Sequence, residues 1–301
     1  MNRLTALAVA IAAMLALPAT GNASQTFGSL LKNNPANGSD QCVEDVPGPC
    51  TLVAYINPND AGDPVASPAP ADGVIVKFRM KTRAAESVTF RLANIDKQGD
   101  VALAQGVGVG PTVTTQDSED IQEFAARVPV KQGQHLALDA TSTQMVYNNS
   151  GNEFTYLYAP PLVAGQGPRG SSGEPQGELL VQAVMEPDAD RDGYGDETQD
   201  GCPTQASTHG ACDTSAPAVK KLRLAAGALK IRLSEAARLG IKIEKKQNGR
   251  FRNVRTLTRA GKAGQNVLSL GRKLGPGQYR VSVVATDAAG NRARYRFQRS
   301  R

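Results

Sequence analysis

Apolar and polar residues alternate at period two in short runs along most of this chain, and no run keeps a helical period. Val74, Val76, Phe78 and Met80 alternate with Ile75, Lys77, Arg79 and Lys81; Val88, Phe90 and Leu92 alternate with Thr89 and Arg91. Successive side chains of a strand point to opposite faces, so this pattern describes half-buried strands and excludes amphipathic helices. Further strands fit at 51–56, 101–107, 122–128, 135–139, 153–158 and 178–185, with turn residues such as Lys131-Gln132-Gly133-Gln134 between them. About eight strands at short spacing specify an antiparallel sandwich, jelly-roll-like in its strand count. Residues 24–72 are rich in Asn, Pro, Gly and Asp, so loops dominate there.

A second set of alternations begins after residue 215. Leu229, Ile231 and Leu233 alternate with Lys230 and Arg232, and Ile241 and Ile243 with Lys242 and Glu244. Gln247-Asn248-Gly249-Arg250 is a hairpin turn into 251–258. Val281, Val283 and Ala285, then Ala293, Tyr295 and Phe297, form the last two strands around Asp287-Ala288-Ala289-Gly290-Asn291. The run from Leu274-Gly275-Pro276-Gly277-Gln278-Tyr279 to Gly290-Asn291 resembles the final hairpin of bacterial Ig-like and fibronectin-type-III-like modules. That resemblance implies an Ig-like sandwich with Tyr279 near a corner. The fold class expected is therefore all-β, two sandwiches joined by a loop.

Charge separates the two halves. Residues 216–301 hold 22 Lys and Arg against three acids, Glu235, Glu244 and Asp287, a net +19; the chain as a whole is +6, which leaves −13 for the rest. The changeover falls at 186–203, EPDADRDGYGDETQDGCP. Asp188, Asp190 and Asp192 stand at alternate positions with Gly193 directly after, and Asp196, Glu197 and Asp200 follow. A calcium ion takes six to eight oxygens, and carboxylates on a tightly curled loop can converge on one ion. The spacing gives Asp188, Asp190 and Asp192 as side-chain ligands, the Tyr194 carbonyl as a backbone ligand, and Asp196 directly or through water.

The D-x-D-x-D-G opening is shared by EF-hands, dockerins and thrombospondin type-3 repeats. An EF-hand needs a bidentate acid where Gln199 stands, and flanking helices. The trailing Asp and Cys-Pro make the loop most similar to a thrombospondin type-3 repeat, in a single copy and with one residue more before Cys202. The resemblance implies a distal acid ligand, which that extra residue displaces by one, so that Asp200 and Glu197 are the candidates. With seven acids against Arg191 within 186–200, the loop is expected to be extended without a cation and compact with one, so that calcium stiffens the hinge.

The N-terminus reads as a signal peptide: Arg3, an apolar stretch over 4–17, Pro18, and Gly21-Asn22-Ala23 as the cleavage site. Cys42 and Cys50 are close in sequence, as are Cys202 and Cys212, so two local disulfides are the simple pairing, although four cysteines allow three connectivities. With only His135 and His209 available and no CxxC spacing, a zinc site is disfavoured. The expected organisation is a signal peptide (1–23), an N-terminal β-sandwich (24–185), a calcium-binding loop and disulfide linker (186–214) and a basic Ig-like domain (215–301).

The whole arrangement resembles secreted multi-domain actinobacterial proteins, which implies a location and an architecture but no activity. The reading that follows is a secreted or cell-surface, non-catalytic calcium-binding protein, adhesive or structural. Its basic domain would meet an anionic cell-wall polymer or another surface protein. A carbohydrate-binding module protein is the alternative, weakened by the absence of Trp. A secreted hydrolase is weaker still: His135 reads as a sheet-surface residue, and no pair of carboxylates is singled out. No base-reading motif points to nucleic acid, and no segment after the N-terminus is apolar for long enough to span a bilayer.

Overall fold

The computed structural model describes residues 23–36, 38–42, 48–56, 68–98, 101–147, 153–173, 177–225, 227–271 and 273–300. The expected signal peptide lies outside the described residues, apart from Ala23. The fold is all-β, and among the described residues there is no helix. Among the described residues, therefore, no helix is long and apolar enough to cross a membrane. The chain forms two compact units, Met1–Ala189 and Asp190–Arg301.

The first unit contains β1 (Gln25–Gly28), β2 (Cys50–Ile56), β3 (Gly73–Thr82), β4 (Ser87–Gln98), β5 (Val101–Thr114), β6 (Ser118–Val130), β7 (His135–Ala140), β8 (Val146–Tyr147), β9 (Glu153–Tyr158), β10 (Arg169–Gly170), β11 (Glu178–Leu179) and β12 (Val181–Glu186). One sheet runs β1-β12-β3-β6 and the other β10-β5-β4-β7-β2-β9. Setting aside the short β8, β10 and β11 and the added edge strand β9, eight strands remain. Their orders, first-last-third-sixth in one sheet and fifth-fourth-seventh-second in the other, are those of a jelly roll with its two Greek keys.

The core between these sheets follows the alternation of the sequence except at Ile75, which the alternation sets opposite Phe78 and Met80 and which a register shift between Ile75 and Lys77 turns to their side. Ile75, Phe78 and Met80 from β3 meet Val88, Phe90 and Leu92 from β4, all at most 1% exposed. The Phe78 and Phe90 rings stack with centroids 4.1 Å apart. Cys42 bonds to Cys50, the first residue of β2, and so fastens the loop-rich N-terminal stretch to the six-stranded sheet.

That sheet is covered on its other face as well. Val53, Ala93, Ala102, Ala104, Ala137, Tyr156, Tyr158 and Leu162 form a second apolar cluster. His135 is therefore not a sheet-surface residue. It is 7% exposed, and its ring stacks on Tyr55. Its Nδ1 lies 3.0 Å from the Ala54 carbonyl, which can only accept, so Nδ1 carries the proton. Burial disfavours the imidazolium and lowers the pKa to about 4.

The second unit contains β13 (Val219–Leu224), β14 (Ala228–Leu233), β15 (Ala237–Gln247), β16 (Arg250–Gly261), β17 (Gly264–Ser269), β18 (Gln278–Thr286) and β19 (Arg292–Ser300). Its sheets are β13-β14-β17 and β16-β15-β18-β19, the three-plus-four arrangement of an Ig-like sandwich. Asn248 and Gly249 both have positive φ, 49° and 78°, as a two-residue type I′ hairpin requires.

Tyr279, 2% exposed at the start of β18, donates from its hydroxyl to the Gly275 carbonyl at 2.8 Å, the corner expected from sequence. Tyr279→Phe removes one partly buried hydrogen bond and leaves that carbonyl without its donor. The unfolding free energy of this unit is expected to fall by about 1 kcal/mol, read as a lower urea midpoint at unchanged slope.

Candidate metal centre

The acidic loop leaves the sheet after Glu186, which is 2% exposed and still pairs with Val74. Beyond it, Arg191 (φ 63°) and Gly193 (φ 86°) take left-handed conformations directly after Asp190 and Asp192. For Gly193 this conformation is free of steric cost; for Arg191 it costs about 1–2 kcal/mol. The effect is a tight curl. It brings one carboxylate oxygen from each of Asp188, Asp190 and Asp192 within 4.8 Å of the other two, all three residues being partly buried.

Three negative charges in that space repel one another. Each pair at such a distance is worth about 3 kcal/mol at an effective dielectric of about 20. A cation at the centre converts that repulsion into attraction. The donors are all oxygen, which selects a hard cation over a soft one. The cluster can therefore hold a metal ion.

The neighbours of Asp192 hold it in place. Its side chain is 4% exposed. Oδ1 accepts from the Tyr194 backbone N–H at 2.9 Å, and Oδ2 lies 2.9 Å from His209 Nδ1. The Tyr194 ring stacks on the His209 imidazole, centroids 3.7 Å apart. The Cys202–Cys212 disulfide closes the loop that carries His209. The His209 carbonyl, inside that loop, accepts from the N–H of Gly201 just before it at 2.8 Å, which returns the histidine to the acidic stretch.

Asp196 begins a turn in which the N–H groups of Gln199 and Asp200 both donate to the Gly195 carbonyl. Neither Asp196 nor Asp200 belongs to the group of three. Asp200 is 6% exposed; its Oδ1 accepts from the Cys202 N–H at 2.7 Å, and its Oδ2, also buried, has no hydrogen-bond partner among the described residues. A buried carboxylate oxygen without a donor is costly. Of the two candidates for the distal ligand, Glu197 is exposed and Asp200 is the buried one.

Sequence reasoning missed two features. His209 sits 17 residues from Asp192, and only the disulfide-closed loop brings them together. In the second unit, Asp213, Glu235 and Asp287 also bring three carboxylate oxygens within 4.8 Å of one another. Asn291 ties two of them together: its backbone N–H donates to Asp287 Oδ1, and its side chain donates to the Asp213 carbonyl, both at 2.8 Å. Acids this far apart in sequence carry no local signature.

No family model matches the sequence. No curated protein matches it either. Among solved structures, a Ruminococcus gnavus beta-glucuronidase aligns at 8% identity and a TM-score of 0.18, over 88% of this chain. This chain spans 46% of that structure's length. At that TM-score the alignment carries no argument about fold or activity.

Proposed function

We propose that the chain is a secreted, non-catalytic calcium-binding protein with an adhesive or structural role, held to anionic cell-wall polymer through its basic unit. The observation that carries this reading is the convergence of Asp188, Asp190 and Asp192 on one point of a curled loop. Hard oxygen donors at this density suit calcium, and the flexible geometry calcium accepts suits a loop better than the strict octahedron of magnesium. Asp188, Asp190 and Asp192 would supply side-chain oxygens, with Tyr194 through its carbonyl, Asp196, and Asp200 as the distal acid. The bound ion would supply charge neutralisation and a fixed loop shape. The two disulfides support export to an oxidising compartment.

Titration calorimetry with calcium on the full chain tests the reading. One site is expected, with magnesium binding more weakly. At a free calcium concentration about 100 times Kd, binding raises stability by about 2.7 kcal/mol. Asp190→Asn combined with Asp192→Asn is expected to abolish both the heat and the thermal shift. Absence of any calcium heat or shift in the unsubstituted protein would overturn the proposal.

A further inference from the structure

The outer face of the β16-β15-β18-β19 sheet is built from a register that the sequence alternation alone does not reveal. Arg292 on β19 stands opposite Thr286 on β18, which stands opposite Arg238 on β15. The next outward row is Arg294, Val284 and Gly240, and the one after is Arg296, Ser282 and Lys242. Three arginines thus follow one another along β19 at every second residue, a repeat of about 7 Å. Arg238 and Lys242 face them from β15, two strand spacings or about 10 Å away. Between these rows β18 presents Ser282, Val284 and Thr286. A shallow trough of about 450 Å³ lies over Lys242, Ser282, Val284, Arg294 and Arg296, bounded at one end by Glu244 and Arg280, and the arginine row continues past its other end to Arg292.

The charges along this trough are unbalanced. Glu244, at one end, takes Arg280 at 2.6 Å and Lys242 at 3.2 Å. Arg238, Arg292, Arg294 and Arg296 make no ion pair among the described residues, and all four are exposed. Guanidinium groups match phosphate oxygens in a bidentate fork, which an ammonium does not. The outer face of the β13-β14-β17 sheet is also basic, but its register shifts between Lys220 and Arg223, and Val267 is 68% exposed within it. The regular arginine row belongs to the β19 side.

We infer that this trough binds a linear polymer with one phosphodiester per short polyol repeat, lying along β18 with successive phosphates on Arg292, Arg294 and Arg296. The inference rests on the polymer-binding part of the proposed function and names the face and the chemistry. Three backbone bonds span about 3.6 Å when extended, so a six-bond repeat of three-carbon polyol and phosphate spans about 7 Å, the spacing of the arginines. Beside the arginine row β18 presents Ser282, Val284 and Thr286, with no aromatic ring, and the Phe251 ring of β16 is capped by the Arg280 guanidinium 4.5 Å from its centroid, whereas single-stranded nucleic acid needs open rings for stacking. Polysaccharide recognition likewise relies on aromatic platforms.

The test is binding of the full chain to poly(glycerol phosphate), with chelator present so that calcium plays no part. Binding is expected, with log K falling linearly as log salt rises. The triple variant Arg292→Gln/Arg294→Gln/Arg296→Gln should lose about 50-fold in affinity at about 0.15 M salt, and its salt slope should fall by about 2. The corresponding Arg→Lys triple, which keeps every charge and disturbs the fold least, should lose affinity with the slope unchanged. Lys230→Gln/Arg232→Gln on the other sheet should change affinity less than about twofold, as expected of residues outside the contact. Equal losses from the two faces would overturn the inference, and so would tighter binding to phosphatidylglycerol vesicles or to single-stranded DNA than to the polymer. Asp190→Asn/Asp192→Asn should bind polymer normally. Polymer binding without any calcium binding would therefore sink the calcium part of the proposed function and leave this inference standing.

Discussion

Acidifying the protein from pH 7 to pH 4 is expected to weaken the jelly roll by about 3 kcal/mol, with His135 as the cause. The folded imidazole has its pKa lowered from 6.5 to about 4. The unfolded chain takes up that proton near pH 6.5, while the folded chain resists it until about pH 4. The unfolded state therefore binds more protons between those values, and stability falls there as pH falls. It is full above pH 6.5 and levels off below pH 4.

Glu244 in the other unit acts later. Its hydrogen bond from Arg280, with Lys242 adding to it, holds its pKa down from 4.5 to about 2. Its contribution is present above pH 4.5 and is lost as pH falls through about 2. Urea midpoints measured across this range should show the first unit responding before the second. His135→Gln should flatten the upper window. An unchanged slope in that variant between pH 6.5 and pH 4 would mean that another group is responsible.

Removing the Cys202–Cys212 bridge is expected to cost about 3 kcal/mol by the loop-closure entropy of a ring of about 11 residues. It should also weaken cation binding by about tenfold or more, the scale seen when the support of a metal ligand is lost. The second effect follows from the contacts of the loop. The bridge holds His209 against Asp192, and Cys202 itself donates its backbone N–H to Asp200. Cys202→Ser/Cys212→Ser frees both carboxylates from their positions. Calcium titration of this variant should give a weaker site with the same stoichiometry. Full affinity in the variant would show that the acidic stretch curls without help from the closed loop.

The strands legible in the sequence were those whose alternation survives without interruption. β9 spans the same six residues in both readings, and the β15–β16 hairpin turns at Asn248-Gly249 as its residues require. β5 was legible only to Val107, because the glycines after it break the apolar period. The strand continues to Thr114, and a Cβ at Gly110 would stand 3.1 Å from Phe90 Cβ, so close packing on β4 explains the missing side chain there. β1, only four residues long, gives too short a pattern to read, and its place is fixed by pairing with β12 far away in sequence. The burial of His135 was hidden for a similar reason. Alternation predicts two faces but does not say that both are covered. The three aspartates of the loop were legible because they lie at alternate positions in sequence, so local spacing suffices to suggest that they meet. His209 and the Asp213–Glu235–Asp287 group depend on a disulfide and on tertiary folding.

The sheet that carries the arginine row ends on β16 at one side and β19 at the other. Each presents an open line of backbone donors and acceptors on which another strand could grow. Both are studded with cations: Arg250, Arg252, Arg255 and Arg259 along β16, and Arg292, Arg294, Arg296 and Arg299 along β19. Two such borders from separate molecules would repel each other, which disfavours pairing edge to edge. A variant neutralised along β19 is therefore expected to self-associate more readily in low salt.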